Sequence, residues 1–184
     1  MSVLTPALTC AAFWLAIALH ARRDPGGTPR FAVALAAGAA AAHLLCALLF
    51  QGAAPGDRGP VGASILFFPL GPLLVCRRPS AFECLPLPLA LARLGCVAAG
   101  CCRGAAGEPL PFLEGAALAG LHVGLRRLTV AARPGAFLLA FGLLRVVQEP
   151  WRSTPEGALA TPAAVALAWT LAGALWLARA ATMR

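Results

Sequence analysis

The stretch AFECLPLPLALARLGCVAAGCC, residues 81–102, decides the fold. It is long enough to cross a bilayer, because a spanning helix takes about 20 apolar residues. Yet Glu83 stands near its start and Arg93 about halfway along it. An arginine at bilayer depth costs at least about 2.5–3.5 kcal/mol. The stretch is therefore either no span at all or a span whose charge has a task.

The surrounding chain favours a span. Of 184 residues 60% are hydrophobic and only 12% are charged, about half the charged share of a soluble domain. Mean hydropathy is +0.79. Every basic residue but histidine is arginine, and Ala, Gly, Pro and Arg dominate, as in a GC-rich bacterial genome. Apolar runs bounded by Arg, Pro and Gly occur at residues 3–21, 31–51, 60–76, 81–102, 110–125, 134–150 and 159–178. The expectation is an all-α, polytopic membrane protein of about seven transmembrane helices, forming one integral-membrane domain over residues 1–184. The N-terminal run lacks a basic leader and ends in HARRD, so it reads as a retained span and not as a cleaved signal peptide.

Charge orients the bundle. With the N-terminus outside and the C-terminus cytoplasmic, the inner side holds Arg22, Arg23, Arg30, Arg77, Arg78, Arg126, Arg127, Arg133, Arg179 and Arg184. The outer loops hold Arg58, Arg103 and Arg152, with Asp57, Glu108 and Glu156, and Glu149 at their margin. This is the positive-inside pattern. The net charge of +8 is thus a topology signal and an attraction to anionic lipid. The arginines are spread over loops and not gathered on one soluble face, which argues against a nucleic-acid partner.

Arg93 and Arg145 lie at matching depth in the fourth and sixth runs, and Glu114 lies near the outer end of the fifth. A single intramembrane arginine is explained by an interhelical ion pair, here Arg93 with Glu114. Two arginines on separate spans favour a phosphate site, because the planar guanidinium matches phosphate bidentately. In LLRVVQEPWRS, Arg145, Glu149 and Arg152 share one helical face, so Glu149 is expected to hold Arg145. Arg93, Cys96, Gly100 and Gly104 line another face, where small residues admit a helix or a lipid. Cys96, Cys101 and Cys102 do not have zinc-site spacing, and no metal or cofactor is expected. His20 and Glu83 are read as interfacial, and His43 and His122 as packed or capping groups.

At these positions the chain resembles the prolipoprotein diacylglyceryl transferases of bacterial membranes. The signature G-R-x-G-N-F-x-N-G-E-x-x-G of that family is similar to ARLGCVAAGCCRG, which matches at Arg93, Gly95, Gly100 and Gly104. Cys96 and Cys101 stand at the Asn and Glu positions, as in cysteine-bearing relatives of the form G-R-x-G-C-x-x-x-G-C-C-x-G. RVVQEPWR is similar to R-F-x-x-E-F-x-R and keeps Arg145, Glu149 and Arg152; EPLPFLEG is similar to H-P-T-Q-L-Y-E and keeps Pro109 and Glu114. SILFFPLG keeps Ser64 of S-F-H-G-G, with Leu66 at the histidine position, and Glu108 replaces the histidine before Pro109.

The resemblance, over residues 60–152, implies a transferase of lipoprotein biogenesis in the bacterial plasma (inner) membrane. Its partners would be phosphatidylglycerol and preprolipoproteins, and its product a diacylglyceryl thioether on the lipobox cysteine. Arg93, Arg145 and Glu149 would be catalytic. Arg152, Glu114, Gly100, Gly104, Cys96 and Ser64 would bind substrate. Two other readings remain: a non-catalytic lipid-binding membrane protein on the same fold, and a thiol-dependent membrane enzyme using the cysteine cluster.

Overall fold

The computed structural model describes residues 4–49, 68–76, 78–99, 107, 109–151 and 162–182. Of the described residues 92% are helical, and none is in a strand. The helices are α1 (Leu4–Arg23), α2 (Thr28–Leu49), α3 (Pro79–Cys84), α4 (Pro86–Ala99), α5 (Leu110–Arg126), α6 (Arg133–Gln148) and α7 (Pro162–Thr182). A π-helical turn, Pro72–Cys76, packs on α2. Short 3-10 turns at Pro25–Gly27, Val130–Ala132 and Glu149–Trp151 join or end the longer elements.

Proline sets the helix starts. It falls in the first two positions of α2, α3, α4, α5, α6 and α7, where its missing N–H removes no helical hydrogen bond. The decisive stretch 81–102 is helical as far as described, but it bends at Leu85, before Pro86. The Leu89 N–H still reaches the Leu85 carbonyl at 3.1 Å, so the ladder resumes at once. Pro79–Ala98 therefore serves as one long apolar segment.

Three segments among the described residues are long and apolar enough to cross a membrane: Pro79–Ala98, Val130–Trp151 and Pro162–Thr182. The distribution of side chains suits a membrane. Leu167, Leu171 and Leu175 on α7 point outward, as do Phe112, Leu113, Leu143 and Val147 on α5 and α6. Inside are His20, Glu83, Arg93, Glu114, Arg145 and Gln148. In water this exposure of apolar surface would be a binding or aggregation surface; against lipid it is the ordinary exterior.

The core runs through Phe31, Leu35, Phe82, Leu118, Phe137 and Phe141. The rings of Phe137 and Phe141 stack 5.6 Å apart, and Phe82 tilts onto Phe137 at 5.7 Å. α1 packs on α4, α4 on α5, and α6 on α7. The α6–α7 seam needs glycine. A Cβ on Gly173 would lie 2.3 Å from the Leu139 nitrogen, and one on Gly142 would lie 2.6 Å from the Thr170 nitrogen. Small residues let two helix backbones meet where lipid supplies no hydrophobic drive.

Candidate functional site

Three helices deliver three charges to one point. α4 carries Arg93 at its middle, α5 carries Glu114 just over a turn from its start, and α6 carries Arg145 in its last turn. Arg145 Nη1 donates to Glu114 Oε1 at 2.6 Å, and both side chains are 2% exposed. Arg93 Nε approaches Glu114 Oε2 at 2.7 Å, without the alignment of a hydrogen bond. Arg93 Nη1 also points to Cys96 Sγ at 3.9 Å, one turn along its own helix.

The Arg93–Glu114 ion pair, the alternative to a phosphate site for these arginines, is thus present, and Arg145 joins it. Glu114 is the hub: one carboxylate held between two guanidiniums. Ion pairs buried this deeply gain little net stability, but removal of one member strands the others. The trio carries one formal positive charge in excess, since two arginines face one glutamate.

The expected role of Glu149 in holding Arg145 is not met. Neither carboxylate oxygen of Glu149 has a hydrogen-bond partner among the described residues, although both oxygens are buried. α6 ends at Gln148, and Glu149, still in the right-handed helical conformation, opens a 3-10 turn with Pro150. Glu114, from a facing helix, takes the place instead. Cys96 stands beside Arg93; Arg152, Gly100, Gly104 and Ser64 lie outside the described residues, as do Cys101, Cys102 and Glu108.

A second charged cluster was not expected. Glu83, read from sequence as interfacial, is buried, and three arginines converge on it. Arg23 Nη2 lies 3.0 Å from Oε1, Arg126 Nε lies 3.8 Å from the same oxygen, and Arg133 Nη1 donates to Oε2. The Glu83 backbone carbonyl meets His122 Nδ1 at 3.0 Å. His20, also read from sequence as interfacial, is likewise fully buried. It stacks on Phe31 at a centroid distance of 4.2 Å and lies 3.4 Å from the Thr28 and Ser80 hydroxyls. The one available signal was arithmetic: Glu83 and Asp24 are the two acids on a side of the chain crowded with arginine.

At the same end, Asp24 accepts from the Gly27 N–H at 2.9 Å and from Arg78. The Arg78 guanidinium holds the Asp24 carboxyl below the usual aspartate range. No family model, no curated protein and no solved structure matches the chain.

Proposed function

We propose that the chain is a membrane transferase that moves the diacylglyceryl group of phosphatidylglycerol to the thiol of a lipobox cysteine. The observation that carries this reading is the buried Arg93–Glu114–Arg145 centre, built from the two arginine-bearing stretches that resemble the transferase motifs. In this reading the bundle crosses the bacterial inner membrane seven times, with the N-terminus outside. α1 and α2, of 20 and 22 residues, are long enough to join the three apolar segments as spans.

The chemistry is a displacement at carbon. The substrate sulfur attacks the glyceryl carbon that bears the phosphate ester. A C–S bond forms, the C–O bond breaks, and glycerol phosphate leaves with the electron pair. The phosphate passes from a diester to a monoester and gains negative charge. Guanidiniums fixed in a dry site stabilise that charge without reorganising. Arg93 and Arg145 would meet the phosphate, and Glu114 would hold them at the spacing it needs. The unpartnered carboxylate of Glu149 would take the thiol proton.

Mass spectrometry of a lipobox peptide incubated with phosphatidylglycerol and the purified protein tests this reading. The expected product is the diacylglyceryl thioether, formed about a hundredfold more slowly by Arg145→Lys, which keeps the charge and loses the planar fork. Folded wild-type protein that forms no thioether overturns it.

One observation favours a second reading, a phospholipid-binding protein without turnover. Glu114 already engages both arginines, so the centre is closed as it stands. Phosphatidylglycerol retention that depends on Arg93, with no thioether formed, would select this reading.

A further inference from the structure

The Glu83 cluster holds more positive charge than Glu83 can neutralise. Arg23, Arg126 and Arg133 reach it from the end of α1, the end of α5 and the start of α6. Arg22, next to Arg23 on α1, brings the guanidiniums to four against one carboxylate, leaving three positive charges in excess. Asp24, the nearest other acid along α1, is taken by Arg78.

The surplus borders a cavity of about 170 Å³. That is the liquid volume of about five waters, enough for the five heavy atoms of a phosphate. Arg22, Arg23, Arg126, His122 and Glu83 line it, and Leu19 and Cys84 complete the wall. A cleft dominated by one sign of charge, with apolar surface in its wall, concentrates its field on an anion inside. The arginines are unequally committed. Arg133 is satisfied by Glu83 and by the Leu128 carbonyl at 3.2 Å, and it does not line the cavity. Arg23 pairs with Glu83 Oε1 at 3.0 Å. Arg126 is 3.8 Å from the same oxygen, too far for a hydrogen bond, and is 56% exposed. Arg22 is exposed and makes no ion pair among the described residues. His122 spends its Nδ1 hydrogen on the Glu83 carbonyl, which can only accept. Glu83 therefore fixes one wall, while Arg22 and Arg126 keep donors for a ligand.

We propose that this cavity binds a phosphate group, with Arg22 and Arg126 as its principal donors. Planar guanidinium forks from two helices suit a tetrahedral oxyanion better than a point charge does. A free phosphate ion and the phosphate of an anionic lipid headgroup present the same oxygens to these forks, and the test separates them. The site is distinct from the Arg93–Glu114–Arg145 centre. Ten residues divide Glu83 from Arg93, and twelve divide Arg126 from Glu114, or about 15–18 Å along the helices. Binding here requires no turnover, so the proposal stands or falls apart from the transferase reading.

The full chain is placed in phosphatidylcholine nanodiscs, and inorganic phosphate is titrated against its melting temperature. In a second arm the nanodiscs are doped with phosphatidylglycerol, and retained lipid is counted by native mass spectrometry. Arg22→Gln and Arg126→Gln are compared with Arg127→Gln, an exposed neighbour that does not line the cavity. Arg22 has no described ion pair to lose, so its variant reads the ligand and not the fold. Each of the first two variants is expected to weaken binding about tenfold, with Arg127→Gln and Arg145→Lys within about twofold of wild type. Loss in the phosphate arm identifies a free ion, and loss confined to the lipid arm identifies a headgroup. Binding unchanged by both variants in both arms overturns the proposal. So does an equal loss in Arg127→Gln, which marks general surface charge. An equal loss in Arg145→Lys places the phosphate at the other centre and overturns it as well.

Discussion

Glu114 is the residue on which the buried charges depend. Replacing it by Ala removes from the interior the carboxylate that Arg93 and Arg145 share. Loss of one partner from a buried ion pair costs about 3–5 kcal/mol, so Glu114→Ala should unfold at much lower temperature than the wild type. Cys96→Ala should cost far less in the same measurement, because the sulfur it removes is a weak acceptor 3.9 Å from Arg93 and both ion pairs to Glu114 stay intact. A Cys96 variant as damaging as Glu114→Ala would contradict this ordering. Glu149 separates stability from chemistry: Glu149→Gln removes no observed hydrogen bond. It should leave the melting temperature within a degree or so and lower the transfer rate. Unchanged transfer would remove Glu149 as the proton acceptor. The sequence made Arg93, Arg145 and Glu114 visible because a charge inside an apolar run is conspicuous. It could not assign Glu114 to both arginines, since that pairing is made between helices and has no period in the chain.

At the scale of elements, hydropathy and proline placed the helices closely. The runs 110–125 and 134–150 correspond to Leu110–Arg126 and Arg133–Gln148. The run 81–102 is divided, because the prolines of LPLPL remove backbone donors without ending the apolar stretch. The Glu83 hub was hidden for a different reason. Arg23, Arg126 and Arg133 all sit at helix ends, where the positive-inside rule already accounts for arginine, so nothing in their spacing marked a shared partner. The α6–α7 seam gives an elementary test. Gly173→Ala drives a methyl into the Leu139 backbone, which should cost about 1–3 kcal/mol as overpacking. Gly124→Ala adds the same methyl in open space and should gain up to about 1 kcal/mol in helix propensity. Equal effects would mean that the seam is not the close contact described. The α1–α2 turn offers a pH test. Arg78 holds Asp24 below its ordinary range, so the pair stabilises above the usual aspartate pKa, near 3.9, and fails as pH falls through the lowered value. The stability difference between wild type and Asp24→Asn should be present at neutral pH and vanish in acid below that range.

For the whole molecule, the two charged clusters form two polar levels on the same helices. α3–α4 carries Glu83 and Arg93, α5 carries Arg126 and Glu114, and α6 carries Arg133 and Arg145. The levels are about 15–18 Å apart on each path, roughly half of a hydrocarbon core about 30 Å thick. If the Glu83 level meets the cytoplasmic headgroups, the Glu114 level lies near mid-bilayer, where phosphate can arrive only with lipid or through an opening between helices. Orientation fixes which leaflet each level serves, and cysteine labelling reads it. In a variant stripped of the seven native cysteines, Gly26→Cys falls in open space in the α1–α2 turn. Pro109→Cys falls at the exposed start of α5, about 7–8 Å beyond Glu114 and farther still from the Glu83 level. A membrane-impermeant maleimide should label Pro109→Cys in intact cells or spheroplasts, and Gly26→Cys only in inverted vesicles. Labelling of both from one side would break the proposed threading. The reverse pattern would turn the molecule over, facing the Glu83 arginines outward against the charge asymmetry that oriented them.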